Sequence, residues 1–216
     1  VTVPEDCLIP PLPLRIEDKL VLPAGRLKGV WFDEELKLLG HDHVQGKVET
    51  VFRSVWYEAE ESFQRFMLDM YALRDKRNEG FNEGVSYIAK IMANSFYGRF
   101  GMNPIRSEVF LPDGMCPPDS GEPISLDETV WQRERIADSS TIIPQIAGHI
   151  TCLSRIRLWK GMVRIVEAGG IVAYTDTDCV YTNLEFENEH HLGGWKSEFE
   201  GGTADGEFTL PKLYRT

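Results

Sequence analysis

Apolar residues recur at helical spacing in two neighbouring stretches of the chain. From residue 59 to about residue 78 they follow every three or four positions, which predicts a helix with one buried face. That face would comprise Phe63, Phe66, Met67, Met70, Tyr71 and Leu73. Asn82 is a suitable N-cap for a second helix that runs to about Phe100. Because only the short break "NEGFN" separates the two helices, we predict an antiparallel helical hairpin.

Other elements flank this predicted hairpin. The stretch "RLKGVWFDEELKLLG" predicts a strand that leads into a short helix ending at Gly40, and residues 44–57 alternate weakly, as another strand would. Pro144 suits the first turn of a third helix, which runs to Ala168. Residues 102–140 contain "LPDG" and "CPPDSGEP", which are typical of turns and indicate an inserted hairpin or loop module.

The segment "AYTDTDCVY", residues 173–181, places two aspartates in an otherwise apolar, β-prone run. Burying an unpaired charge is costly, so a cation is an obvious partner. Residues i and i+2 of a strand point to the same side, and Asp176 and Asp178 can therefore share a hard cation or a pair of them. Magnesium prefers such oxygens together with substrate phosphates. A turn whose Asp and Thr side chains bond the local backbone is the alternative explanation.

The second predicted helix contains "KIMANSFYGRFG", residues 90–101. At about 100° per residue, Lys90, Asn94, Tyr97 and Gly101 share one stripe. The opposite side carries residues expected to pack on apolar neighbours: Ile88, Met92, Ser95 and Phe96. The stripe offers a cation to a phosphate and an aromatic ring to a sugar or base, although an ordinary solvated helix face explains it too.

Basic residues at the end of the first helix extend this picture. Arg74 continues the apolar stripe by one turn, where a packed face does not favour a guanidinium. In an antiparallel hairpin, Arg74, Lys76 or Arg77 can join Lys90 around a triphosphate. A solvated basic helix end, favoured by the helix dipole, is the alternative.

Composition narrows the class of protein. The chain has 216 residues, 42% of them hydrophobic, which suits one or two small domains. We expect no membrane span, because no run of about 18 apolar residues occurs, and no signal peptide, because "VTVPEDCLIPPLP" lacks a basic start and an apolar stretch. Four scattered cysteines favour free thiols in a reducing, intracellular compartment. The net charge of −11 argues mildly against nucleic acid, but seven basic residues outnumber four acidic ones between Phe63 and Ser107.

Three motifs, in this order, resemble those of family B DNA polymerases. "KIMANSFYG" is similar to the family's Lys-x3-Asn-Ser-x-Tyr-Gly motif, "YTDTDC" to Tyr-x-Asp-Thr-Asp-Ser, and "PKLY" to Lys-x-Tyr. The resemblance covers about residues 12–216 and is closest to the protein-primed enzymes of viruses, phages and linear mitochondrial plasmids. In that subgroup an insertion between the first two motifs aids processivity and strand displacement, and residues 102–140 occupy its place.

The resemblance implies catalytic and metal-binding roles for Asp176 and Asp178, which would hold two Mg²⁺ ions, with Mn²⁺ as a substitute. Lys90 and Arg74 would contact the triphosphate of an incoming dNTP.

The remaining implied contacts are to the nucleotide and the primer. Asn94 and Tyr97 would line the nucleotide pocket, with Gly98 beside the nascent base pair. Lys212 and Tyr214 would hold the primer strand of primer–template DNA, although an ordinary exposed strand explains that pair too. A terminal protein primer is a further partner implied by the subgroup.

The implied fold is α+β, a polymerase palm with an antiparallel sheet and an inserted antiparallel two-helix fingers hairpin. We expect palm at 1–57, fingers at 58–101 and the inserted module at 102–140. Residues 141–216 would return to the palm, with the catalytic Asp-Thr-Asp hairpin and the start of the primer-binding region. Both ends of the chain are expected to be cuts through a longer protein.

Two departures from the family pattern bear on activity. Cys179 stands where the family usually has Ser, and no Asp-x-x-Ser-x-Tyr-Pro motif, which carries the family's other metal aspartate, occurs. We therefore expect the intact enzyme to be a DNA-templated DNA polymerase acting in replication, and the isolated 216 residues to be inactive. The alternatives are a metal-dependent DxD glycosyltransferase, which needs no lysine helix, and a non-catalytic remnant that binds nucleotide or DNA.

Overall fold

The computed structural model describes residues 1–17, 19–58, 63–110, 121–123, 130–136, 142–189, 191–199, 205–210 and 213–215. They fall into two compact units. The first unit is Val1–Ser62 with His149–Thr216, and the second is Phe63–Gly148. All the strand pairs described are antiparallel.

The N-terminal part of the first unit is built from short strands and one short helix. Strand β1 (Thr2–Val3) pairs with β4 (Gly25–Arg26), and β2 (Leu14–Ile16) pairs with β3 (Lys19–Val21). Helix α1 (Asp33–Lys37) continues into a 3-10 turn that ends, as predicted, at Gly40.

Two strand predictions in this region are wrong. The strand before α1 is limited to Gly25–Arg26, and beyond it Trp31 Nε1 donates to the carbonyl of Pro13 at 2.7 Å. Residues 44–57 form no strand, and only Lys47 makes an isolated bridge, to Thr2. Val44 is buried, but no described strand pairs with the rest of this stretch, and Val48, Val51, Phe52 and Val55 are 44–80% exposed.

The C-terminal part of the chain contains a long helix and two hairpins. Helix α4 (Pro144–Glu167) confirms the predicted third helix, and it ends where Gly169 adopts a left-handed φ of 79°. Strands β8 (Val172–Asp176) and β9 (Cys179–Thr182) form one hairpin. Strands β10 (Glu207–Leu210) and β11 (Leu213–Arg215) form the other.

The core of the first unit lies between α4 and the N-terminal segment. Its buried residues are Val3, Leu12, Leu38, Leu39, Val44, Cys152, Ile156, Trp159 and Val163. Trp159 Nε1 donates to the carbonyl of Ile9 at 2.8 Å, so the indole is buried with its donor satisfied. Glu35 is also buried, at 2% exposure, and pairs with Arg155. These contacts fix the helix that precedes the aspartate hairpin.

The second unit contains α2 (Gln64–Arg74), α3 (Glu83–Phe100) and a small sheet in the order β5 (Ile105–Phe110), β7 (Trp131–Ile136), β6 (Glu122–Pro123). Asn82 is confirmed as the N-cap of α3, since its side chain accepts the N–H of Val85 at 3.1 Å. Helix α2 ends at Arg74 rather than near residue 78, because Asn78 Nδ2 donates to the carbonyl of Ala72 at 2.6 Å and closes a turn. Its predicted first residues, 59–62, lie outside the described part, as do "LPDG" and most of "CPPDSGEP".

Helices α2 and α3 pack through aromatic rings. Phe63, at the start of α2, lies 4.8 Å from Phe96 and 5.4 Å from Phe100 between ring centroids, at the end of α3, so the helices run antiparallel. The buried residues of α3 are Ala89, Ala93 and Phe100.

The predicted packing faces of these helices are partly wrong. Ile88 and Met92 are 57% and 45% exposed, and the contact uses the two small alanines of α3 instead. On α2, Leu73 is 45% exposed and no residue is fully buried. A hydropathy pattern gives alanine little weight, although its small side chain allows close helix approach. Within the described residues, no helix has the length and apolarity needed to cross a membrane.

Candidate functional site

The two aspartates lie at a tight hairpin, as predicted. Asp176 is the last residue of β8 and pairs with Cys179, the first of β9, which leaves Thr177 and Asp178 as a two-residue turn. Two-residue hairpin turns need a left-handed residue, and Thr177 supplies it with φ 55°. A β-branched residue rarely adopts this conformation, which costs on the order of 1 kcal/mol. The turn that carries both carboxylates is therefore strained.

A local hydrogen bond orients the first carboxylate. Thr177 Oγ1 donates to Asp176 Oδ1 at 2.9 Å. The donor is a neutral hydroxyl, so it directs the carboxylate without neutralising its charge. Asp176 is half-buried and Asp178 is exposed. The pair thus presents one oriented carboxylate and one that solvent reaches easily.

Aromatic residues support the hairpin from β10. Tyr174 and Tyr181 pair across β8 and β9, and the ring of Phe208 stacks on Tyr174 at 5.1 Å and meets Tyr181 edge-on at 5.0 Å. Such pairs contribute about 0.5–1.5 kcal/mol each beyond the area that they bury. This cluster was not predicted from the sequence, because Phe208 lies far from both tyrosines along the chain.

The two carboxylates fit a magnesium site. Magnesium in phosphoryl-transfer sites commonly uses one or two carboxylates and takes its other ligands from substrate phosphates and water. Asp176 and Asp178 supply two carboxylates at one turn. Across the part of the chain that the structure describes, no group of three or more His, Cys, Asp or Glu residues could hold a metal ion.

The polar stripe of α3 is accessible. Lys90, Asn94 and Tyr97 are exposed. Each comes one residue after a member of the α3 face that packs on α2, which comprises Ala89, Ala93 and Phe96. One residue is about 100° around a helix, so the stripe lies beside the contact and not in it. Neither the Lys90 nor the Asn94 side chain makes a hydrogen bond or ion pair with another described residue. An ammonium, an amide and a phenol are therefore presented together.

Two glycines near this stripe differ in their surroundings. A Cβ atom at Gly101 would lie 3.1 Å from Ala147 Cβ, so packing explains that glycine. A Cβ atom at Gly98 would meet nothing within 4 Å. Glycine inside a helix costs about 1 kcal/mol relative to alanine. Among the described residues, no packing contact accounts for Gly98.

Of the basic residues at and just after the end of α2, one already has an acidic partner. Arg77 forms an ion pair with Asp75 at 2.7 Å. Arg74, the last residue of α2, is exposed and has no acidic partner in the described ranges. Of the predicted phosphate contacts, Arg74 is thus better placed than Arg77 to meet an external anion.

The remaining predicted residues are only partly described. Lys212 lies outside the described residues, and Tyr214 pairs with Phe208 in the β10–β11 ladder. Asp176 and Asp178 belong to the first unit. The predicted nucleotide contacts, Arg74, Lys90, Asn94, Tyr97 and Gly98, belong to the second.

A group of basic residues on α4 was not predicted from the sequence. Arg157, Lys160 and Arg164 line a cavity of about 510 Å³. Cations at positions i, i+3 and i+7 share one helix face, and this repeat is the signal by which they could have been found.

The chain matches the family model of type B DNA polymerases, organellar and viral, over residues 2–155, and it belongs to that family. The resemblance to family B DNA polymerases is thereby confirmed.

Curated relatives agree with this family. The chain is 26% identical, over 95% of its length and 22% of the relative's, to a probable DNA polymerase of Neurospora intermedia. It is 22% identical to one of Podospora anserina, over 90% of the chain and 19% of the relative. It is 23% identical to a probable DNA polymerase of Ascobolus immersus, over 99% of the chain and 18% of the relative. The chain thus spans about a fifth of the length of these relatives. No solved structure matches it.

Proposed function

We propose that the chain forms the fingers and part of the palm of a DNA-templated DNA polymerase that acts in replication. The reaction is nucleotidyl transfer from a dNTP to a primer 3′-oxygen, with pyrophosphate as the leaving group. The observation that carries the proposal is the Asp176-Thr177-Asp178 turn in a chain of the type B family. In this proposal residues 1–57 and 141–216 are palm, residues 58–101 are fingers and residues 102–140 are an insertion.

Asp176 and Asp178 hold Mg²⁺, or Mn²⁺ in its place. When bound, two such ions activate the attacking oxygen and stabilise the leaving group. The hydroxyl of Thr177 holds the Asp176 carboxylate in one orientation through its 2.9 Å hydrogen bond. The aromatic contacts of Tyr174 and Phe208 stiffen the hairpin beneath, so little reorientation is needed when substrate arrives.

The second unit binds the incoming nucleotide. Lys90 neutralises a phosphate as a point charge, and Arg74 adds a guanidinium that can contact two phosphate oxygens at once. Asn94 and Tyr97 line the pocket for sugar and base. Gly98 permits the close approach of the nascent base pair, which is consistent with the empty space around it.

Primer–template DNA is the second substrate. Lys212 and Tyr214 hold the primer strand near its 3′ end, and the phosphate contact of the lysine is independent of sequence. A terminal protein supplies the primer in the intact protein.

Calorimetric titration of the 216-residue chain with dATP and Mg²⁺ tests the nucleotide site. Lys90→Ala should weaken binding by about tenfold or more, because a hydrogen bond to a charged group contributes about 1.5–3 kcal/mol. Arg99→Ala is the matched control, since it removes a cation on the opposite side of the same helix and should change little. An equal loss of dATP affinity in both variants would contradict the proposal. Turnover of UDP-glucose by a chain that does not bind dATP would favour a glycosyltransferase.

Primer extension tests the second part of the proposal. The 216 residues lack the Asp-x-x-Ser-x-Tyr-Pro motif, and with it the other metal aspartate of the family. The isolated chain should therefore bind dATP without extending a labelled primer on a template. Templated incorporation by the purified chain would show that this motif is dispensable.

A further inference from the structure

A cavity on α4, lined by none of the proposed metal or nucleotide residues, has the size of a ligand site. It belongs to the first unit and has a volume of about 510 Å³, within the range of roughly 300–1,000 Å³ typical of ligand pockets. Its polar and aromatic lining comes from α4 and from the loop after β9: Arg157, Lys160, Arg164, Glu189, His191 and Trp195.

Positive charge predominates in this cavity, although the whole chain carries a net charge of −11. Arg157, Lys160 and Arg164 share one face of α4, and a rise of about 1.5 Å per residue spreads them over about 10 Å. Among the described residues, Glu189 is the single acid of the lining. The cavity is therefore a local positive site on an acidic protein, and such sites concentrate anions.

Glu189 holds the arginines without neutralising the cavity. Its carboxylate lies 3.2 Å from Arg157 Nη2 and 3.5 Å from Arg164 Nη1. It also accepts the backbone N–H of Trp195 at 3.1 Å, and this hydrogen bond holds the pKa of Glu189 below its usual range. Lys160 is exposed and has no ion pair with any described residue. One ammonium thus remains available beside two fixed guanidiniums.

An aromatic side chain is fixed in the same cavity. Trp195 packs on Gly161 of α4, where a Cβ atom would lie 2.5 Å from Trp195 Cζ2. The backbone carbonyl of Trp195 also accepts the N–H of Glu189 at 2.8 Å. Only glycine at position 161 allows the indole to sit against the helix.

We propose that this cavity binds single-stranded DNA, with phosphates on the cations of α4 and a base stacked on Trp195. A cationic groove combined with an aromatic platform is how proteins bind single strands without sequence preference. An acidic peptide would form ion pairs with the cations but has no base to stack on the indole. The inference rests on the proposed function, in which the unpaired template strand is the occupant.

Fluorescence anisotropy with a labelled oligo(dT) of about twelve nucleotides tests the proposal on the 216-residue chain. Lys160→Glu should weaken binding by about tenfold and lower the slope of log affinity against log salt by about one. Trp195→Leu should weaken binding by about fivefold or more through lost stacking. Lys19→Glu is the charge-matched control, since Lys19 is an exposed lysine on β3 of the same unit, and it should change little.

The outcomes separate this inference from the proposed function. Equal losses for Lys160→Glu and Lys19→Glu would overturn it, because they would indicate only general charge repulsion. Retained oligo(dT) affinity in Trp195→Leu, with displacement of the oligonucleotide by polyglutamate, would overturn it in favour of an acidic protein partner. A chain that binds oligo(dT) through Lys160 and Trp195 but binds no dATP would contradict the nucleotide site alone. A chain that binds dATP but loses no oligo(dT) affinity in Lys160→Glu and Trp195→Leu would overturn the cavity alone.

Discussion

Replacing Arg155 by leucine should cost the chain about 3 kcal/mol of unfolding free energy. Glu35 is 2% exposed, and its Oε1 accepts hydrogen bonds from Arg155 Nη2 at 2.7 Å and Nε at 3.1 Å. Removing one partner of a buried ion pair costs about 3–5 kcal/mol, because the other charge is left buried without compensation. The Arg155 side chain is 32% exposed, so water can partly replace it and the lower value applies.

Urea denaturation followed by circular dichroism measures this effect. With an m value of about 2 kcal/mol/M, the loss moves the midpoint by about 1.5 M. Arg133→Leu is the control, because its pair with Glu108 is exposed and should contribute at most about 1 kcal/mol. The double variant Glu35→Leu/Arg155→Leu should recover most of the loss, since no buried charge remains. A cost no larger than that of Arg133→Leu, or a double variant as unstable as the single one, would refute the reasoning.

Three further changes have defined outcomes. Burial, with the nearby charge of Glu35, raises the pKa of the Cys152 thiol from 9.0 to about 12, so iodoacetamide near pH 8 should label it only after unfolding. The unfolded thiol ionises at lower pH than the folded one, so unfolding free energy should fall above pH 9 by up to about 1.4 kcal/mol per pH unit; labelling of native Cys152 would contradict both statements. Gly161→Ala should lower the thermal midpoint and shift tryptophan emission, because the indole of Trp195 must move. Gly98→Ala should stabilise α3 by about 1 kcal/mol through its higher helix propensity, and so raise the thermal midpoint, yet it should weaken dATP binding. A lower midpoint with unchanged dATP binding would argue against a role for Gly98 at the nucleotide.

Local signals made the start of α3 and both ends of α4 predictable. Asn82 caps α3 through its own side chain, Pro144 opens α4, and Gly169 takes the left-handed conformation that ends it. The Asp176 turn was predictable for the same reason, since strand-forming residues flank a short polar pair. Each of these features depends on residues within a few positions of one another.

Features that depend on distant contacts could not be predicted. Arg155 and Glu35 are 120 residues apart in the chain, and Arg157 and Glu189 are 32 apart. Hydropathy alone predicted that Ile88 lies on the contact face of α3, whereas Ile88 is exposed and its neighbour Ala89 is buried. The α4 cavity likewise exists only once the loop at Trp195 has folded against Gly161.

Binding of Mn²⁺ to the 216-residue chain, followed by electron paramagnetic resonance, tests the aspartate turn most directly. Asp176→Asn should raise the dissociation constant by about fivefold or more, because one of the two carboxylates at the turn is lost. Asp205→Asn removes the same charge from an exposed position and should change little. Retained Mn²⁺ affinity in Asp176→Asn, or an equal loss in Asp205→Asn, would contradict a metal site at this hairpin.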